Sequence, residues 1–262
     1  MIVKNLRKLA LPMIPAISII IIWEFMVRIG YMDPTLFSSP FGIWRAIMDS
    51  LFGDVSSSYE LIPNIVATLK RLFWGFLIGS FSGIFMGLVM GNVRFIRKII
   101  EPIVTFIMPI PGIAMAPVFM VVMGFGDKTI ITVGAVAMFF PVILNTMAGV
   151  RSVDKNLENA ASIMGVSKLG MYLRVHLPWT MVYLITGLKL GLARCWRTII
   201  AVELIATATH GLGFMITEAS DYLQTDMFFA GIFVMATVFL TLEKGVFGNL
   251  EKMTIKKWGM IR

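Results

Sequence analysis

Three basic residues and one acid stand inside a stretch that is otherwise apolar enough to cross a membrane. Lys189, Arg194, Arg197 and Glu203 fall between Trp179 and Ala206. A charge at the middle of a bilayer costs at least about 2.5 kcal/mol, so such groups face a water-filled path or a partner. Arg194 and Arg197 are three apart and share one face of a helix. Glu203 follows Arg194 by nine residues, about half a turn away, so those two do not pair on one straight helix. The surplus is positive, and a path lined this way attracts a small anion or zwitterion. Alternatively, these charges are met by Glu24, Glu101 or a second subunit.

Two other patterns carry information about contact. Gly75, Gly79, Gly83, Gly87 and Gly91 recur every fourth residue. On a helix they form one bare stripe that lets another backbone approach closely. Pro102, Pro109, Pro111 and Pro117 fall within the next apolar segment. Each removes a backbone donor, so a straight helix is not expected there, and freed carbonyls at membrane depth must face protein or a wet path.

The elements that position these residues follow from composition. Of 262 residues, 58% are hydrophobic and only 15% charged, against roughly 25% charged in a soluble domain. Too little polar surface is present for a water-soluble globule, and disorder needs low hydrophobicity. An all-α polytopic membrane protein remains. Six stretches approach the roughly 20 residues that a spanning helix requires: Leu9 to Val27, Leu72 to Val93, Pro102 to Gly126, Thr129 to Val150, Trp179 to Ala206, and Met227 to Phe247. Lys4, Arg7 and Lys8 before the first resemble a signal peptide, but no small-residue cleavage site follows, so an uncleaved span is expected.

The net charge of +8 is explained by basic residues in loops on one side. Arg94, Arg97 and Lys98, then Arg151, Lys155, Lys168 and Arg174, then Lys252, Lys256, Lys257 and Arg262 join the N-terminal trio there. By the positive-inside rule both termini are cytoplasmic. No basic patch with interleaved aromatics suggests nucleic acid. Lone Cys195 forms no internal disulfide. An amphipathic piece from Gly42 to Phe52 is expected along the outer membrane surface. Neither short repeats nor inverted halves are visible, which argues against an inverted-repeat secondary transporter.

The loop from Arg151 to Pro178 has helical periodicity at Leu157, Ala160, Ala161 and Met164, a break at Gly165, then Leu169, Tyr172 and Leu173. Apolar side chains on a cytoplasmic loop mark a docking surface. Asn159-Ala160-Ala161, Gly165 and, nine residues on, Val175-His176-Leu177-Pro178 resemble the EAA loop of bacterial ABC importer permeases. Asn159 stands where that motif has glutamate, with Glu158 before it, and Val175 where it has isoleucine.

Pro109-Ile110-Pro111 through Ala116-Pro117, Gly124-Phe125-Gly126-Asp127, and Gly191 to Trp196 with Ala201-Val202-Glu203-Leu204 and Gly211-Leu212-Gly213 are similar to the nitrate/sulfonate/taurine branch. Thr225-Asp226 before Phe229-Ala230-Gly231-Ile232 looks most like its taurine and alkanesulfonate members.

The resemblance implies one permease domain over residues 1–262 with the type I importer (MetI-like) fold, in a bacterial inner membrane. It implies a homodimer with two ATPase subunits and an extracytoplasmic solute-binding protein. Glu158, Asn159, Ala160, Ala161, Gly165, Val166 and Ser167 would form the ATPase-coupling loop. Arg194, Arg197, Glu203, Pro109 and Pro111 would line the path, and the glycines from Gly75 to Gly87 would pack helices. The substrate expected is a sulfonate such as taurine; nitrate, bicarbonate or a vitamin precursor are the alternatives. No cofactor or metal is expected on this chain, with ATP and Mg on the partner. The chain has no G-x-x-x-x-G-K-[ST] phosphate loop. A membrane-embedded enzyme using His176, His210, Glu203 and Asp226 is the competing class, but these residues lack metal-ligand spacing and no G-x-S-x-G elbow is present. An ion-coupled transporter is a third.

Overall fold

The computed structural model describes residues 2–33, 35–52, 60–171, 175–206 and 209–253. Eleven helices occur among them: α1 (Ile2–Arg28), α2 (Pro40–Phe52), α3 (Leu61–Asn92), α4 (Arg94–Ile107), α5 (Gly112–Met123), α6 (Asp127–Arg151), α7 (Lys155–Ile163), α8 (Lys168–Met171), α9 (Leu177–Glu203), α10 (Leu212–Asp221) and α11 (Thr225–Met253). Lys256, Lys257 and Arg262, part of the basic tail, lie outside the described residues, as do Tyr172 and Leu173 of the loop periodicity.

The glycine stripe sets the core. A Cβ at Gly79 would lie 2.8 Å from Met138 Cβ, at Gly83 2.8 Å from Val142 Cβ, at Gly87 2.6 Å from Thr146 Cβ and at Gly91 2.6 Å from Val150 Cβ. Each step of four along α3 is matched by a step of four along α6, so the two helices run parallel, side chain into groove. At the next turn up, Gly75 faces the bare turn at Gly134, and the notch is filled from α9 by Cys195 and Ile199, both fully buried. Gly187 lies against Asn145 while Gly191 lies against Met138, so α9 runs antiparallel to α6. The opposite face of α3 is greasy and open, with Phe73, Leu77, Phe81 and Phe85 exposed at the same spacing of four. On a spanning helix such a face is open to lipid or to a second chain.

Parallel packing also fixes what the proline-rich segment does. The chain leaves α3 at Asn92 and must be back beside Arg71, near the opposite end, by Asp127, whose carboxylate sits 2.7 Å from the Arg71 guanidinium. The pair α4 and α5, bent by 102°, therefore crosses the whole bundle and does not return to the side it left. Three helices (α3, α6, α11) are long and apolar enough to span a membrane alone, and the bent pair makes a fourth. With α1 and α9, each 27 residues and about 40 Å long, six helical stretches reach the length of a span. The span expected from Leu72 begins eleven residues earlier, at Leu61, because Lys70 and Arg71 are carried inside the helix.

One end of the bundle gathers the polar connections. Glu24 near the end of α1 accepts from Arg28 Nε at 2.6 Å and from the Phe41 amide at 3.1 Å. Ser38 Oγ donates to Asp226 Oδ1, and Thr225 Oγ1 donates to the Thr35 carbonyl at 2.6 Å. These contacts seat α2 on α11, with Ile47 buried. On the linking turn the Thr35 hydroxyl and amide both donate to Asp33, holding its carboxyl below the usual range. The other end carries α7 and α8, joined through Gly165 at φ 74°, a left-handed conformation that glycine adopts without strain.

Candidate translocation and coupling sites

The proline break is pressed against one turn of α9. Pro111 offers no N–H, and the chain turns so that α5 starts at Gly112 in a new direction. The Met108 carbonyl is thereby left at the end of α4, and Arg194 Nη2 donates to it at 2.6 Å. A guanidinium at a helix C-terminus is favourable for the dipole as well as for the hydrogen bond. One turn further on, Thr198 fills the space beside Gly112, where a Cβ would come within 2.5 Å of its methyl. Pro109, Ile110 and Pro111 are exposed.

Arg197 is exposed too, and its Nε donates to the Ala193 carbonyl at 3.1 Å on its own helix. Among the described residues neither Arg194 nor Arg197 has a carboxylate within ion-pair distance. Lys189 does, 3.6 Å from Glu243. Of the acids in this chain named as alternative partners, Glu24 takes Arg28, and Glu101 makes no ion pair among the described residues. The positive surplus read from the sequence is thus carried by Arg194 at the break and by Arg197, exposed three residues further along α9.

Glu203 goes elsewhere. It is 1% exposed and pairs with Arg71, Nη1 to Oε1 at 2.7 Å. Thr68 Oγ1 lies 2.9 Å from both its oxygens, and the Gly213 amide donates to Oε2 at 2.9 Å. Arg71 also donates to the His210 carbonyl at 2.7 Å and through Nε to Asp127 at 2.8 Å. Asn64 Oδ1 accepts from Gly211, and Thr68 Oγ1 from Leu212. A buried carboxylate needs such a set of donors, since burying the charge otherwise costs several kcal/mol.

Arg71, Thr68 and Asn64 were not legible as functional residues. A signal was nevertheless present: Arg71 precedes Gly75 by four and so continues the stripe onto the packed face, where an arginine must find an acid. The four enzyme candidates do not form one site. His210 lies near Glu203, its carbonyl on the same Arg71, but Asp226 is taken by Ser38, and His176 opens α9 while Glu203 closes it, about 40 Å away. No group of three metal-ligating side chains occurs among the described residues.

At the opposite end Asp154 caps α7, accepting from the Asn156 amide at 2.8 Å, as short acidic N-caps do. Asn159 and Ala160 are exposed and Ala161 half-buried. Ile163 and Met164 are 87% and 82% exposed, and Leu157 is exposed as well. Past Gly165 and Val166, Ser167 Oγ accepts from the Gly170 amide at 3.1 Å and caps α8. The side chain of Glu158 lies outside the described residues.

The molecule is thus an all-α membrane protein with a close-packed three-helix core, a broken crossing helix beside it and, at one end, a short helix whose Leu157, Ile163 and following Met164 are exposed. The chain belongs to the family of binding-protein-dependent transport system inner membrane components, whose model matches residues 75–243. It is 30% identical over 233 residues to the taurine transport system permease protein TauC of Escherichia coli K12, covering 89% of this chain and 84% of that one. It is 28% identical over 246 residues to a putative aliphatic sulfonates transport permease, SsuC, of Bacillus subtilis, covering 94% and 86%. To the nitrate import permease NrtB of Leptolyngbya laminosa it is 29% identical over 176 residues, 67% of this chain and 63% of that one.

Proposed function

We propose that residues 1–262 form one permease domain of an ABC importer that carries a small sulfonate, taurine or an alkanesulfonate, across a bacterial inner membrane. The observation that carries this reading is Arg194 at the Pro109–Pro111 break, with Arg197 exposed three residues on along α9, neither with a carboxylate partner among the described residues. Two guanidiniums in a low-dielectric passage favour an anion over a cation or neutral solute. Relatives named for taurine and aliphatic sulfonates support the substrate class.

In this reading the chain is a homodimer with two ATPase subunits, which hold ATP and Mg. The end bearing α7 would be cytoplasmic, and both termini with it, as the basic residues of the loops and tail favour. Glu158 to Ser167 would bind the ATPase through Leu157, Ile163 and Met164. Each nucleotide state would then bind one arrangement of the bundle better than the other, which is what moves the path between its two openings. A solute-binding protein would deliver cargo at the end bearing Glu203. Nitrate is the second reading, favoured by the nitrate import relative, since the same guanidiniums serve an oxyanion.

The test is uptake of labelled taurine, alkanesulfonate and nitrate by vesicles containing the co-expressed permease, ATPase and binding protein. Uptake of a sulfonate that unlabelled nitrate does not displace supports the first reading. Failure of the ATPase to co-purify overturns both.

A further inference from the structure

The network around Glu203 shares no hydrogen bond with Arg194 or Arg197, yet among the described residues it is the most densely bonded polar group, and it lies where α3, α6, α9 and α10 meet. Its effect falls on α10. The three amides that open this helix are each taken by a side chain of another element: Gly211 by Asn64 at 2.7 Å, Leu212 by Thr68 at 2.8 Å and Gly213 by Glu203 at 2.9 Å. There is no slack for sliding. A Cβ at Gly211 would stand 2.6 Å from Arg71 Nη1, and one at Gly213 2.5 Å from the Ile200 carbonyl. The far end of α10 is the opposite: Tyr222 and Leu223 are exposed, and Leu223 holds φ 54°.

We infer that Arg71 is a positioning residue for transport: acting through Glu203, it welds α10 to the α3–α6–α9 core, so that α10 moves with that core as one body. The guanidinium neutralises the carboxylate, the carboxylate and Thr68 hold the amides of α10, and Asp127 ties the same guanidinium to the start of α6. The weld concerns the permease alone; its consequence for coupling rests on the function proposed above.

The test uses the full chain with Cys195→Ala, which leaves no native thiol, and spin labels on cysteines placed at the exposed positions Ser220 on α10 and Lys128 on α6. Labelled chains are diluted with unlabelled ones so that distances within one chain are read. The variant is Arg71→Met with Glu203→Gln, which removes both charges together and so avoids an uncompensated buried carboxylate.

In the permease alone, the 220–128 distance distribution is expected to be narrow in the native chain and broadened in the double variant. In the complex, the native distance is expected to be the same without nucleotide and with ATP trapped. The ratio of binding-protein-stimulated to basal ATP hydrolysis is expected to fall in the double variant by roughly 3- to 30-fold. A native distance that changes between nucleotide states overturns the proposal, and so does a double variant whose distribution and stimulation ratio match the native ones. Failure of the ATPase to bind would refute the importer reading, while the broadening is still read on the permease by itself.

Discussion

Arg194 and Thr198 stand one turn apart on α9 and hold the two sides of the break between α4 and α5. Arg194 caps the Met108 carbonyl at 2.6 Å, and Thr198 occupies the space that only a glycine at 112 leaves open. The bend is therefore set by a neighbouring helix as much as by the prolines. Pro111 denies the Ile107 carbonyl its usual donor, and the Ile110 amide takes it instead; α9 caps the next carbonyl, Met108, and sets the shape.

Two substitutions on this turn should separate structure from transport. Arg194→Met removes a charged donor from a carbonyl and is expected to destabilise the chain by about 1.5–3 kcal/mol. Arg197→Met removes an exposed guanidinium and should change stability by less than about 0.5 kcal/mol. Both should lower anion uptake. Thermal unfolding in detergent, beside vesicle uptake at several substrate concentrations, measures the two effects; unchanged uptake in Arg197→Met would remove it from the path.

Arg71 faces two acids of unequal worth. Asp127 is 67% exposed on its side chain while Glu203 is fully buried. Asp127→Asn is expected to cost less than about 1 kcal/mol, as exposed pairs do. Arg71→Met strands a buried carboxylate and is expected to cost about 3–5 kcal/mol. Membrane yield and melting temperature of the two single variants give the comparison, and equal losses would contradict this burial argument.

The exposed apolar end of α7 offers a third test. Ile163→Asp or Met164→Asp should leave the permease as stable as before, since neither side chain is buried. Loss of the ATPase from the purified complex is expected, because each such residue contributes about 1.5–3 kcal/mol when covered. Native mass spectrometry reads the outcome directly.

Glycines of one residue type should differ by position. Gly83→Ala places a methyl 2.8 Å from Val142 Cβ and is expected to cost about 1–3 kcal/mol. At Gly248 nothing lies within 4 Å, and alanine there should gain up to about 1 kcal/mol of helix propensity. Melting temperatures of the two variants decide it.

Much of the helical layout was legible because a membrane admits few solutions. Uncharged runs of the right length could be read directly, and the prolines announced a break between α4 and α5. Where charges interrupted a run, reading was harder. Lys70 and Arg71 hid the first eleven residues of α3, whose inward face is polar because Glu203 is there to meet it. The destination of Glu203 was not legible at all, since its partner lies 132 positions away and no local spacing links them. The asymmetry of α9 was legible in its charge surplus, but which of its charges would be neutralised depended on what packed against each turn.

The matched steps along α3 and α6 have a consequence for how this sequence can change over time. At position 91 growth requires Val150 to give way, since the atoms a side chain there would meet all belong to that valine. Positions 79, 83 and 87 are more constrained: a side chain there would also meet the carbonyls of Ala135, Phe139 and Ile143, at 2.6, 3.1 and 2.8 Å, which no exchange of side chains moves. Drift along this seam should therefore keep glycine at those three positions and trade volume only between 91 and 150, where the two helices end.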